Sequence, residues 1–480
     1  MEEPLECETI LPVTLQERIQ KLSSSFEQEF GGCKPEFFAR APGRVNLIGE
    51  HVDYSGYDVL PCAIEQDVLI AVRVLQPPER KLIIRNVNQH FKPLEIVLEP
   101  KFQINSASHH WTNYFLGGYK GILEHFEHPP IGLQLLFDGT VPHGSGLSSS
   151  SAVVCASALA TLRSLQRCPC ISGTSLTRSM IADLAAKSER YMGVMSGGMD
   201  QAISMTAKAG YAKHIQFDPL TAKDVKLPGG VSIVVANTLV ESAKYVTAAT
   251  CYNRRVMECV LAAKLLSHKL GQSWTNVKRL RDVQEQTTPN RSLEALAEAV
   301  RTHLSNDPYS ADDVAAALSV SKSDLWKNCF EKLTAQVEFP EGKELYLGKR
   351  AFHVFTETQR VLKFDSVANE QPYPQQLQEL GELMNASHKS CKEQFDCSCA
   401  ELDHLTSIAR SAGALGSRLT GAGWGGSTVS LVKDEEVTRF INELEEKYFK
   451  PLQDSGRPLP PQKDRLFSIK PAAGASIITL

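Results

Sequence analysis

The chain has 480 residues, 42% of them hydrophobic and 22% charged, an ordinary globular composition that is too long for one core and points to two or three domains. Its net charge is −4 with no long basic run, which argues against nucleic acid or a membrane surface as partner. No apolar stretch reaches the ~20 residues that span a bilayer. The acidic start MEEPLECETILPVTL lacks a signal-peptide pattern, and the scattered cysteines, spaced Cys-x-Cys at 168–170 and 397–399, read as reduced thiols of a cytoplasmic protein.

In chain order, an N-terminal extension (1–35) contains an amphipathic helix at about Leu15 to Phe30, ended by Gly31-Gly32. Strand-like runs follow at Phe37–Ala41, Val59–Ile64, Val68–Val74, Lys81–Val87 and Leu94–Leu98, then a helix at about His109–Phe126 and a strand at Leu133–Phe137. Arg40 to Ile64 reads RAPGRVNLIGEHVDYSGYDVLPCAI. Its arginines, Asn46, Glu50, His51 and Asp53 cannot be buried without partners, and the spacing predicts a loop between strands. Such a set suits a small hydroxyl-rich ligand; a solvated ion-pair loop accounts for the composition equally well.

Asp138–Val154, DGTVPHGSGLSSSSAVV, runs directly into an alanine-rich helix ending near Leu165. Small residues before a helix let backbone amides converge on an anion, and serine hydroxyls add donors and a possible magnesium ligand. The alternative is a flexible linker. The stretch is neither a Walker A motif nor a dinucleotide fingerprint. A helix is predicted over about Ser175–Met192 with Glu189 on its last turn, and Asp200 follows in the loop MSGGMDQ. A solvated helix end and a turn residue would explain each as simply as a ligand contact.

Val231–Asn237 reads as the strand opening a second domain, giving units 36–228 and 229–480. A helix at Asn253–Leu270 precedes a polar helical insertion, about 271–350, without identifiable chemistry. Helices at Leu377–Lys389 and Glu401–Ala412, a glycine-rich stretch ending at Gly426, a strand at Ser427–Val432, a helix at Val437–Tyr448 and a strand at Ser476–Leu480 suggest a ferredoxin-like sheet. The glycines at 421–426 form either a tight turn or a loop whose amides face a ligand in the cleft.

GRVNLIGEHVDYSGYDVLPCAI, PHGSGLSSSSA and LTGAGWGGS, in this order, resemble the three motifs of the GHMP kinase superfamily, the first being like the galactokinase signature that other branches lack. KSERYMG, GGMDQAIS, RVMECVLAAKLL and GELMNASHKSC are further similar to the N-acetylgalactosamine kinase branch of the galactokinase family. The resemblance implies an α+β, two-domain GHMP kinase fold, with an N-terminal domain like domain 2 of ribosomal protein S5, a ferredoxin-like C-terminal domain and the active site in the cleft between them. It implies ATP-dependent phosphorylation of the anomeric hydroxyl of N-acetylgalactosamine and of galactose, with galactose as main substrate in the alternative reading, and a need for Mg2+; a monomer is the default expectation.

Residue by residue, Glu50, His51, Asp53, Gly197 and Tyr252 would contact the sugar. Asp200 would accept the hydroxyl proton, and Arg44 would lie between the sugar and the transferring phosphate. Gly146, Ser148, Ser149 and Ser150 would wrap the phosphates, Ser150 and Glu189 would hold magnesium, and Lys244 would lie near ATP. That branch has an Asn-Lys pair where this chain has Ala243-Lys244, and Gly193-Val-Met-Ser also departs from it. Non-catalytic sugar sensors of the family lack a Ser-Ala pair that is present here as Ser151-Ala152.

Overall fold

The computed structural model describes residues 5, 11–105, 110–167, 175–193, 195–242, 251–286, 289–331 and 338–479. Helix α1 (Val13–Glu29) turns Ile19, Leu22 and Phe26 inward, at the i, i+3, i+7 spacing of one helical face. Arg18 on that helix ties it to Asp67 and Asp138 of the sheet beneath.

Strand β1 (Phe37–Ile48) runs well past the predicted Ala41. The first part of the polar stretch is therefore strand, not loop, and Arg44 and Asn46 are buried in it. The runs expected at 59–64 and 68–74 are one strand, β2 (Leu60–Val74), antiparallel to β1. Their ladder shifts register between Pro42 and Arg44 and again between Asn46 and Ile48. Pro42 has no N–H to donate, and such irregularities re-aim side chains.

The first half continues with β3 (Lys81–Asn86), β4 (Leu94–Val97), α2 (Thr112–His125), β5 (Leu133–Gly139), α3 (Ser149–Gln166), α4 (Arg178–Ser188) and α5 (Met199–Thr206). α5 replaces part of the predicted loop, and Asp200 sits in its first turn. A hairpin of β6 (Ala212–Gln216) and β7 (Thr221–Val225) was not expected from the sequence.

His214 on β6 lies between Asp58 (2.9 Å) and Asp365 (3.0 Å). Burial lowers its pKa, but hydrogen bonds to the two carboxylates outweigh this and raise it from 6.5 to about 9. A pKa raised in the folded state contributes stability that is full below pH 6.5 and lost as pH climbs through about 9. The urea midpoint should therefore fall between pH 7 and 10, and fall less steeply in His214→Asn. Equal slopes would remove His214 from the explanation.

The second half holds β8 (Val231–Asn237), α6 (Asn253–Lys269) and four short helices, α7 (Leu280–Glu285), α8 (Leu293–His303), α9 (Ala311–Ala317) and α10 (Lys322–Phe330). Next comes α11 (Leu347–Asn369), a 23-residue helix that the sequence reading did not place. Then follow α12 (Gln376–Ser390), α13 (Ala400–Ser411), β9 (Gly416–Thr420), β10 (Ser427–Lys433), α14 (Val437–Leu444), β11 (Leu466–Ile469) and β12 (Ser476–Ile478).

The strands form a six-stranded sheet, β12-β1-β2-β5-β3-β4, and a four-stranded sheet, β11-β8-β10-β9. β12 was expected in the second sheet. Instead it returns to the first, where Phe38 faces Ile478 and Arg40 faces Ser476. The last strand thus crosses the expected boundary at residue 229. Among the described residues, no helix is long and apolar enough to cross a membrane.

Candidate active site

Arg44 sits on β1 just past the register shift, where its side chain turns toward the start of α5. Its Nε donates to Asp200 Oδ1 at 2.7 Å and its Nη1 to the Gly146 carbonyl at 2.7 Å. Both side chains are nearly inaccessible, at 4% and 8% exposure. A buried ion pair persists only when its hydrogen bonds are well made, and the first turn of a helix also favours a carboxylate.

Residues of the 50–53 segment gather nearby. Asp53 Oδ2 accepts from the Met199 amide at 3.3 Å, one residue before Asp200. Gly197 packs so closely there that a Cβ would lie 2.4 Å from the Asp53 carboxyl carbon, so only glycine fits. The His51 ring stacks on Phe395 with centroids 4.6 Å apart and lies 5.5 Å from Tyr252. Its nitrogens meet the Tyr54 hydroxyl and the Ala422 carbonyl, each at 3.0 Å. Burial raises the pKa of the Glu50 carboxyl, opposed by Arg418 and Arg44. Glu50 Oε1 already accepts from the Gly421 amide at 2.8 Å and from Arg418 at 3.4 Å.

The Gly/Ser stretch is not a linker. It packs against the late glycine turn, backbone to backbone. A Cβ on Gly421, whose φ is +86°, would lie 2.4 Å from the Gly146 carbonyl. Ser427 Oγ donates to the Ser145 carbonyl at 2.8 Å, and the Ser242 amide donates to Gly144 at 2.8 Å. The turn at 421–426 therefore braces the loop in front of it.

A cavity of about 390 Å3 is lined by Gly146, Ser148, Ser149 and Ser150, by Arg44 and Asp200, and by Phe91, Trp111 and Phe137 among its apolar residues. Ser148 is a non-glycine residue in the left-handed region, φ 61°, and its buried Oγ has no partner. A strained residue with an orphaned hydroxyl, beside converging amides, fits an absent anion.

Glu189 is buried, and its Oε1 accepts from Ser151 Oγ at 2.7 Å; Gln201 Nε2 in turn donates to that hydroxyl at 3.2 Å. The structure thus joins Glu189 to Ser151, while Ser150 lines the cavity. No group of three or more potential ligands gathers among the described residues. One carboxylate with serine hydroxyls suits magnesium, which keeps waters and takes substrate phosphates as ligands. Lys244 lies outside the described residues.

Sequence reasoning missed the aromatic wall of the cavity, Ser151 and Arg418. Trp111 and Tyr114, at the mouth of a helix in an otherwise aromatic-poor chain (7% aromatic), were the available signal for the first.

A family model described as the galactokinase galactose-binding signature matches residues 24–74, the GHMP kinase N-terminal domain matches 113–208 and the GHMP kinase C-terminal domain matches 368–450. The chain is 46% identical to a galactokinase of Dictyostelium discoideum, over 90% of this chain and 88% of that one. It is 37% identical to a galactokinase of Saccharomyces cerevisiae, over 88% and 87%. Among solved structures, Lactococcus lactis galactokinase complexed with galactose superposes with a TM-score of 0.72 at 25% identity, covering 96% of this chain and 99% of that one. The mevalonate kinase of Methanococcus jannaschii shares the fold, with a TM-score of 0.50 at 17% identity over 91% and 98%. The chain has the two-domain GHMP kinase fold and belongs to the galactokinase family of that superfamily, as a sugar kinase of the galactokinase type.

Proposed function

We propose that the chain transfers the terminal phosphoryl group of ATP to the anomeric hydroxyl of galactose. Galactose fits the galactokinase relatives better than the N-acetylgalactosamine preference expected from the sequence. The observation that carries the reading is the buried Arg44–Asp200 pair lining the same cavity as the Gly/Ser loop.

On this reading Glu50, His51, Asp53, Gly197 and Tyr252 hold the sugar, with its reacting hydroxyl toward Asp200. Asp200 takes the hydroxyl proton as the phosphoryl group transfers. Arg44 fixes that carboxylate and, through the Gly146 carbonyl, links it to the phosphate loop. Its positive charge also offsets charge developing on the phosphoryl oxygens. Gly146, Ser148, Ser149 and Ser150 face the phosphates, and the Phe91–Trp111 wall takes the nucleobase. Glu189, with Ser150 or its hydrogen-bonded neighbour Ser151, would hold magnesium, which neutralises phosphate charge when bound. The described cysteines are free thiols, in keeping with a reducing, cytoplasmic setting.

The test is kcat/KM for galactose and N-acetylgalactosamine, with glucose and N-acetylglucosamine as controls, read by ADP release. Galactose should lead its acetamido analogue by at least about tenfold, the discrimination expected of a pocket shaped for a hydroxyl. Equal values would defeat galactose as the preferred substrate, and sugar binding without ADP release would make the chain a sensor.

A further inference from the structure

Between Gly49 and His51 the backbone takes two left-handed turns, at φ +103° and φ +60°. The second belongs to a residue with a side chain, which disfavours that conformation. Such a segment persists only where its surroundings hold it, and the Gly49 amide and Glu50 carbonyl are both held by α11, more than three hundred residues later.

Glu357 Oε1 accepts from the Gly49 amide at 2.9 Å and from Ser387 Oγ at 2.5 Å. One turn earlier, His353 Nε2 lies 3.0 Å from the Glu50 carbonyl, which can only accept, so the ring donates. Its Nδ1 then accepts from Ser390 Oγ at 2.8 Å. Val361, one turn beyond Glu357, closes the space at Gly49: a Cβ there would be 2.9 Å from its methyl group.

Both α11 side chains are completely buried. Burial lowers the His353 pKa to about 4 and keeps the ring neutral, as its two hydrogen bonds require. Burial would raise Glu357, but Arg360, His353 and Arg418 outweigh it and hold the group at about 2. The carboxylate therefore stays an acceptor across the working pH range.

We propose that Glu357 and His353 are positioning residues for the sugar: by clamping the Gly49 amide and the Glu50 carbonyl, they aim Glu50, His51 and Asp53 and thereby set sugar affinity from the second half of the chain. Neither touches Arg44, Asp200 or the nucleotide cavity, so the nucleotide side is untouched by their loss. The inference rests on the proposed sugar-binding role of the 50–53 segment.

The test measures kcat and KM for both substrates in Glu357→Leu, Glu357→Gln, His353→Phe and His51→Ala, each full length. Leaving a buried backbone donor or acceptor unpaired is worth about tenfold or more. Glu357→Leu and His353→Phe should raise KM for galactose about tenfold with KM for ATP unchanged. Glu357→Gln, which keeps an oxygen facing Gly49, should restore a nearly native KM for galactose. If Glu357→Leu does not fold, His353→Phe carries the comparison alone.

The positioning role is overturned if both Michaelis constants rise together, if Gln is no better than Leu, or if galactose KM stays native in the α11 variants while His51→Ala raises it. In that last case the sugar-site reading survives. If His51→Ala leaves galactose KM unchanged, that reading itself fails and this inference falls with it.

Discussion

Asp200→Asn should lower kcat by about a hundred- to ten-thousand-fold, the range general-base catalysis supplies, while galactose still binds. Asparagine has the same size and keeps an oxygen for Arg44 Nε, which now sits 2.7 Å from the carboxylate. What disappears is the basic oxygen and the negative charge opposite Arg44. ADP release gives kcat, and calorimetric titration gives galactose affinity. A variant that keeps a tenth of wild-type kcat has lost only ~1.4 kcal/mol, too little for an essential base. A variant that has also lost galactose binding would make Asp200 a sugar ligand first.

Arg418→Met should be among the most destabilising single changes in the chain, costing about 3–5 kcal/mol, as expected when one partner of a buried ion pair is removed. The guanidinium is fully buried and donates to the Asn46 carbonyl at 2.9 Å, to Ser387 Oγ at 3.1 Å and to Glu50 Oε1 at 3.4 Å. Arg418 is also the largest influence holding the Glu50 pKa down against burial. Without it, that carboxylate either stays charged without its main partner or takes up a proton. The double variant Arg418→Met with Glu50→Gln should recover much of the loss, because an unpaired buried charge is what destabilises. Urea midpoints of the two single variants and the double close the cycle. A double variant as unstable as the sum of the singles would mean the cost lies in packing.

The three motifs, the helix α1 and most strands of the first half could be read from the chain because their cues are local: glycine and serine clusters, apolar alternation, Gly31-Gly32 as a stop. α11 could not, since Arg350, His353 and Glu357 lie on its buried face and interrupt the apolar stripe that marks a helix. The extent of β1 was hidden for a related reason. Arg44 looks solvent-facing until Asp200 arrives from far along the chain to pair with it, and the Asn46 backbone is held by Thr420 and Arg418, equally distant in sequence. Glycine at 421 and 426 was legible as a turn, yet its function as a brace depends on the Gly146 backbone, which only the fold brings close. Polar groups buried by distant partners look, in sequence, like surface.

The pairing of β12 with β1 also bears on how the protein is made. The edge formed by Phe38, Ala39 and Arg40 has its partners in Ile478, Ile477 and Ser476, hundreds of residues later in synthesis. A nascent chain must therefore hold an open, apolar sheet edge while the whole second half is translated, and such edges recruit other strands. Chaperone dependence in a heterologous host, and insolubility of fragments ending before Ser476, follow from that wait.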